Sequence, residues 1–165
     1  MIRKNIIKAV ELVAEFNAAI KKLPNYTTVQ SRSAREKEFR KNLVNEEAKE
    51  YGEAVEISHK AKELADLVYV LAGGVDELHS SIYAQFNSRD LNYILNKENR
   101  HALYYSDSLY FCFAEAQRLG LENFMDIFET VHLSNMSKIS EGAEFVNGKL
   151  QKGANYKKPD LSKYF

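Results

Sequence analysis

The side chains best placed to do chemistry are carboxylates. Glu46-Glu47-Ala48-Lys49-Glu50 is followed, after twelve intervening residues, by Glu63-Leu64-Ala65-Asp66. A spacing of three sets Glu47 with Glu50, and Glu63 with Asp66, on one face of a helix. Glu46, Glu47 and Glu50 fall within an arc of about 100°. Like charges that close repel, so the cluster calls for a counter-ion. Four hard oxygen donors suit magnesium, or manganese in its place, whereas thiolates or clustered imidazoles would point to softer metals. Magnesium held by carboxylates keeps positions open for water and substrate phosphates.

The two pairs can act together only if the chain reverses between them. On one continuous helix Glu50 and Glu63 would lie about 140° apart and roughly 20 Å apart along the axis. A reversal near residues 56–59, where the midpoint between the pairs falls, makes an antiparallel hairpin with all four carboxylates at one level. Ser58 is available to cap the returning helix, although no glycine marks the turn. The competing reading is a solvated acidic face, supported by Lys49 with Glu53 and Glu56 with Lys60 at helical spacing.

The rest of the chain supplies the helices. Its 165 residues hold 23 basic and 23 acidic side chains, 45% apolar residues, seven glycines and two prolines. So few turn residues exclude a many-stranded sandwich or barrel and predict an all-α fold. The length fits a single domain over residues 1–165, with about 140–165 as a basic tail able to close over the site. Apolar spacing (Ile7, Val10, Val13 or Ala14, Phe16, Ile20) predicts a helix over 3–22, ended at Leu23-Pro24. Others are expected over about 33–57, 60–78 or beyond, 98–118 and 122–139, the fourth stopped by Gly120. Gly73-Gly74 inside the third marks close packing or a bend. Residues 25–33 read as a loop, and the polar stretch from Tyr83 to Asn99, with Asn87-Ser88-Arg89-Asp90 its best break, as a lid or an oligomer contact.

Cys112, the only cysteine, excludes an intrachain disulfide, and between Phe111 and Phe113 it reads as a buried hydrophobe. The longest uncharged apolar run, Leu67 to Val75, is too short to span a bilayer, and charges interrupt any leader at the amino terminus. A cytoplasmic protein is expected, with no membrane partner. Zero net charge gives no reason to seek nucleic acid, but an acidic centre beside a lysine-rich tail suits a metal and a polyphosphate. Apolar residues such as Leu109, Phe111, Phe113, Leu119 and Phe124, with ten tyrosines, predict a homodimer or homotetramer.

Glu46-Glu47-x-x-Glu50 followed by Glu63-x-x-Asp66 resembles the signature of the MazG-like all-α nucleoside triphosphate pyrophosphohydrolases, which include phosphoribosyl-ATP pyrophosphohydrolases and all-α dUTP-hydrolysing enzymes. Leu12-Val13-x-x-Phe16-Asn17 precedes the motif as a first helix does in that superfamily, and Ala65-Asp66-Leu67-Val68-Tyr69-Val70-Leu71 resembles the apolar helix after its aspartate. Val131-His132-x-Ser134-Asn135-Met136-Ser137-Lys138, Gly148-Lys149-x-x-Lys152-Gly153 and Asn155-Tyr156-x-x-Pro159-Asp160 are similar to the closing segment of a bacterial and phage branch.

The resemblance implies Glu47, Glu50, Glu63 and Asp66 as ligands of two or more Mg2+ ions, and Glu46 as the residue that orients or deprotonates the attacking water. It implies Asn135, Lys138, Lys152 and Tyr156 at the phosphates and Asn17 at the base or sugar, beside Phe16. The expected reaction converts a nucleoside triphosphate, preferably a deoxynucleotide, to monophosphate and pyrophosphate.

Two other classes stay open. Glu56-x-x-His59, Glu98-x-x-His101 and Glu129-x-x-His132 have the spacing of di-iron carboxylate bundles. A non-catalytic helical dimerisation module is the other, though no position of the acidic motif is missing. Gly148 to Gly153 lacks the Gly-Lys-Ser/Thr ending of a phosphate loop, and no Gly-x-Ser-x-Gly elbow exists.

Overall fold

The apolar stripes close into helices wound about one long central element. A computed structural model describes residues 1–26, 34–86, 100–146 and 149–165, with the side chains of all of these except 34–39, 78–86 and 100–103. Among the described residues there are five α-helices: α1 (Ile2–Ile20), α2 (Ala34–Glu53), α3 (Ile57–Phe86), α4 (Arg100–Arg118) and α5 (Phe124–Ser137). An antiparallel hairpin follows, β1 (Glu144–Val146) and β2 (Lys149–Gln151), pairing Phe145 with Leu150, and a 3₁₀ turn, Ser162–Tyr164, lies near the end. The chain is all-α apart from that hairpin. No described helix is long and apolar enough to cross a membrane.

At 30 residues, α3 is about 45 Å long, and α1, α2, α4 and α5 all pack against it. Its stripe of Leu64, Val68, Leu71 and Val75 is fully buried, at the three-and-four spacing of a core-facing helix. Ile6, Ala9, Val10 and Val13 of α1 face it, with Leu109, Cys112, Phe113 and Ala116 of α4 and Phe124, Ile127, Phe128 and Val131 of α5. Cys112 is buried as expected, and burial pushes its thiol up to about 12.

Several sequence expectations shift. The stripe of α1 centres on Ile6, with Ile7 only half-buried, because the helix meets α3, α4 and α5 together. Residues 27–33 and 87–99 lie outside the described residues, so the loop over 25–33 is seen only at its start, and the lid or oligomer contact over 83–99 only where α3 continues to Phe86. Leu109, Phe113 and Phe124 do not form an outer apolar surface, since all three fill the core, whereas Phe111 is 66% exposed. The hairpin was not foreseen, for three-residue strands leave too short an alternation to read.

Local chemistry explains the ends. Gly120 has φ of 73°, and Leu121 N–H bonds back to the Ala116 carbonyl while Gly120 N–H bonds to that of Gln117, the paired closure that favours glycine after a helix. α1 ends before Leu23-Pro24, and Asn25 takes the left-handed region at φ 59°, which asparagine tolerates better than most residues. Gly73 and Gly74 mark close packing, with α3 continuing through them. A Cβ on Gly74 would stand 2.4 Å from the Tyr105 ring of α4, and one on Gly73 would stand 2.6 Å from the Arg40 guanidinium of α2.

These neighbours differ in what they can yield. Tyr105 is held between helices, while Arg40 is the far end of a flexible side chain reaching the Val70 carbonyl and Glu77. Gly74→Ala is expected to destabilise by about 1–2 kcal/mol through overpacking, and Gly73→Ala to stay within about 1 kcal/mol of wild type because helix propensity offsets the arginine shift. Urea denaturation of the two variants checks this, and equal effects would contradict it.

Candidate functional site

The site is built by the α2–α3 hairpin. Three residues, Ala54 to Glu56, make the reversal, slightly earlier than the sequence suggests. The Glu56 carbonyl already accepts the Lys60 N–H at 2.8 Å, so Ser58 lies inside the first turn of α3 and is not the cap. The antiparallel register then sets Glu50 across from Glu63 and Glu47 across from Asp66.

Ligand atoms of Glu47, Glu50 and Glu63 lie within 4.8 Å of one another, and among the described residues this is the group of acidic, histidine or cysteine side chains close enough to hold an ion. Glu63 is 3% exposed, and its Oε2 is buried without a hydrogen-bond partner. Its Oε1 meets Lys62 Nζ at 2.9 Å and His59 Nε2 at 3.0 Å. Asp66, half-buried, takes the same Lys62 ammonium at 2.8 Å. Lys62 thus bridges two of the four carboxylates, a role the sequence reading missed; its spacing of four from Asp66 was the available signal. Glu46 is exposed on α2 beside the cluster. Lys49 does approach Glu53, at 3.7 Å, but both are exposed and lie outside the group.

The electrostatics follow that register. Burial first, then Asp66, Glu50 and Glu63, push Glu47 up from 4.5 to about 7. Glu50 is also raised, by desolvation and by Glu63 beside it. Burial raises Asp66 against the pull of Lys62. Burial lowers Lys62, but its contacts to Asp66 and Glu63 outweigh that and leave it raised. A buried acceptor with no donor, among acids forced partly neutral, is a donor set that fits a hard divalent cation.

A second group faces the first from α5 and the tail. Lys138 Nζ donates to Asn135 Oδ1 at 2.5 Å, and Lys138 interacts with Asp66, Glu47 and Tyr156. Lys152 Nζ sits 4.2 Å from the Tyr156 ring centroid. Burial holds the Lys138 ammonium below the usual lysine range. Ser134 Oγ donates to the Lys157 carbonyl at 2.7 Å, the Lys157 N–H bonds to Ser137 Oγ at 2.9 Å, and the Gly153 N–H bonds to the Lys138 carbonyl. These bonds fasten the tail along α5 and bring Asn135, Lys138, Lys152 and Tyr156 together.

Asn17 is not brought to that group. Its Nδ2 donates to Asp76 Oδ2 at 2.8 Å, ten residues beyond Asp66 and about 15 Å along α3. Phe16 packs edge-on against Tyr69, centroids 5.7 Å apart. The di-iron spacings do not converge among the described residues: Glu129 pairs with Lys8 while His132 turns inward to Tyr69, His59 meets only Glu63, and Glu98 lies outside them. A groove lined by Val44, Ala48, Leu67, Tyr104 and Phe111 lies about 140° around α2 from the carboxylates.

The helical core that carries these carboxylates matches a family of the MazG-like all-α nucleoside triphosphate pyrophosphohydrolase superfamily. Residues 13–87 match the phosphoribosyl-ATP pyrophosphohydrolase family model, a span holding the last eight residues of α1, all of α2 and α3, and all five acidic residues of the motif. No match was found among curated proteins or among solved structures. The family match supports a pyrophosphohydrolase.

A carboxyl whose folded pKa is raised stabilises most below its unfolded value, and that contribution is lost as pH rises through the folded one. For Glu47 the window runs from 4.5 to about 7. Glu47→Gln removes that pH dependence, so in metal-free protein the melting temperature of the variant relative to wild type should rise between about pH 5 and about pH 8. Thermal denaturation in chelator at both values checks this, and a pH-independent difference would contradict it.

Proposed function

We propose that this protein is a magnesium-dependent nucleoside triphosphate pyrophosphohydrolase, converting a substrate, preferably a deoxynucleoside triphosphate, to monophosphate and pyrophosphate. The observation that carries the reading is the buried, unpartnered Glu63 Oε2 grouped with Glu47 and Glu50, faced by the Lys138 ammonium. Glu47, Glu50, Glu63 and Asp66 would hold Mg2+, with manganese able to replace it. The ions, when bound, offset phosphate charge and lower the pKa of water.

The protein's own groups divide the remaining work. Lys138, with Asn135 fixing its ammonium, draws the polyphosphate against the carboxylates, and burial strengthens that attraction. Lys152 and Tyr156 bound the site from the tail and limit water to what the reaction uses. Glu46, exposed beside the cluster, orients the attacking water and takes its proton. Lys62 must release Glu63 and Asp66 when a divalent cation takes their oxygens, and can then turn to phosphate. Asn17, held by Asp76, would meet the base or sugar. We further propose a homodimer or homotetramer, with the exposed Phe111 and Tyr104 as its apolar contact.

The family match makes phosphoribosyl-ATP the rival substrate. The eight common ribo- and deoxynucleoside triphosphates, dUTP and phosphoribosyl-ATP, incubated with magnesium and resolved by chromatography, separate the readings. Monophosphate and pyrophosphate from one or two of the triphosphates are expected. Turnover of phosphoribosyl-ATP alone would replace the proposed substrate class, and no turnover of any, with manganese also tried, would overturn the reading. Glu50→Gln is expected to lower turnover at least about a hundredfold while its melting temperature holds or rises, because a repelling charge is gone. An active Glu50→Gln enzyme would remove Glu50 from the site.

A further inference from the structure

Behind Lys138 lies a line of buried polar groups that the reaction itself does not use. His132 and Tyr69 are 4% and 8% exposed. Tyr69 Oη lies 3.1 Å from His132 Nδ1, with the Asn135 side chain on its other side. Asn135 in turn takes the Lys138 ammonium on Oδ1. The other nitrogen of His132, Nε2, faces the exposed Glu15 carboxylate at 3.6 Å.

The donors in this line can run only one way. An ammonium has three protons and no acceptor, so Asn135 Oδ1 must face Lys138 and its NH2 must donate to Tyr69. Tyr69 then gives its own proton to His132 Nδ1, which leaves the imidazole proton on Nε2, toward Glu15. Every buried group has a partner in this order. Reversing the Asn135 amide would point its NH2 at a cation and leave both stranded, which is costly away from water. The Tyr69 ring itself is wedged against Phe16, Phe128 and His132, with centroids at 5.7, 5.7 and 6.1 Å, so its hydroxyl has little room to move.

We infer that Tyr69 and His132 are positioning residues: the one-way hydrogen-bond line from His132 through Tyr69 fixes the Asn135 amide, and the fixed amide holds the Lys138 ammonium where it meets polyphosphate. The inference rests on the reading of Lys138 as a phosphate-binding group. It assigns to two residues of the core, one on α3 and one on α5, a share in substrate affinity although neither touches substrate.

A double-mutant cycle read by calorimetry, with inorganic triphosphate and magnesium as the probe, tests it. Lys138→Met should weaken binding roughly tenfold or more, and Tyr69→Phe, which keeps the ring, roughly threefold to tenfold. The double variant should bind no more weakly than Lys138→Met alone. Tyr69→Phe binding as wild type beside a weakened Lys138→Met would overturn the inference and leave the reading of Lys138 standing. Losses that multiply in the double variant would overturn it too, since Tyr69 would then act independently. Wild-type binding by Lys138→Met would overturn both together. His132→Gln, whose amide oxygen can take the tyrosine proton, should retain affinity, whereas His132→Leu should copy Tyr69→Phe; wild-type affinity in His132→Leu is a further result that would overturn the inference.

Discussion

The carboxylate of Glu63, buried on α3 and opposed by acids from α2, is the constraint to which the rest of the molecule answers. A charge with an unpartnered oxygen in that setting is costly, and two neighbouring acids make it worse. The chain relieves it in three ways: Lys62 and His59 take the other oxygen of Glu63, Glu47 is driven toward the neutral form, and Lys138 brings positive charge from the far side. Each is a partial substitute for a cation. A fold evolved only for stability would place a leucine there, since replacing buried charge by packed apolar groups is often neutral or stabilising.

That repulsion is tolerable because α3 serves two faces at once. One face carries Leu64, Val68, Leu71 and Val75 into a core shared with four other helices, and residues of this kind each contribute about 1.5–3 kcal/mol when fully buried. The other face carries Glu63 and Asp66 at the same helical levels. The acids therefore stand on the most firmly held element of the molecule, where their spacing cannot relax. Gly73 and Gly74 extend the same logic further along, letting α2 and α4 approach the helix that fixes the acids.

How much of this was legible depended on the length of the pattern. The all-α class followed from the scarcity of turn residues, and the α2–α3 reversal and the meeting of Glu47, Glu50 and Glu63 from spacing, because a helix converts sequence distance into angle and rise without regard to context. Leu109, Phe113 and Phe124 were misread as outer surface, since an apolar residue on an amphipathic helix does not say whether its partner is its own chain or another. Ser58 has the composition of a cap but lies within the first turn of α3, as the reversal needs only three residues. Lys62 and Tyr69 were passed over for a different reason: one looked like an ordinary solvated lysine and the other like core. Their roles depend on partners 4 and 63 residues away, and only the shorter of those distances leaves a periodic trace.

The tail shows how a segment poor in regular structure becomes part of a site. Ser134 and Ser137 lie three apart on the last turn of α5, on one face of it, and Ser140 follows just beyond the helix; their hydroxyls bond to the backbone of residues 155 and 157. A side chain on Gly153 would collide with Ser140, its Cβ 2.6 Å from the carbonyl oxygen, so the returning chain lies directly on the helix end. Lys138 is the residue that caps α5, where the negative end of the helix dipole favours a cation. The lysine is thereby held by the helix terminus, by Asn135 and by the Tyr156 ring that the tail delivers, and it faces Asp66 and Glu47 across the gap between α5 and the hairpin. Carboxylates from the chain's middle and cations from its end are opposed because α5 packs on α3, and the serines then set the tail over the space between them.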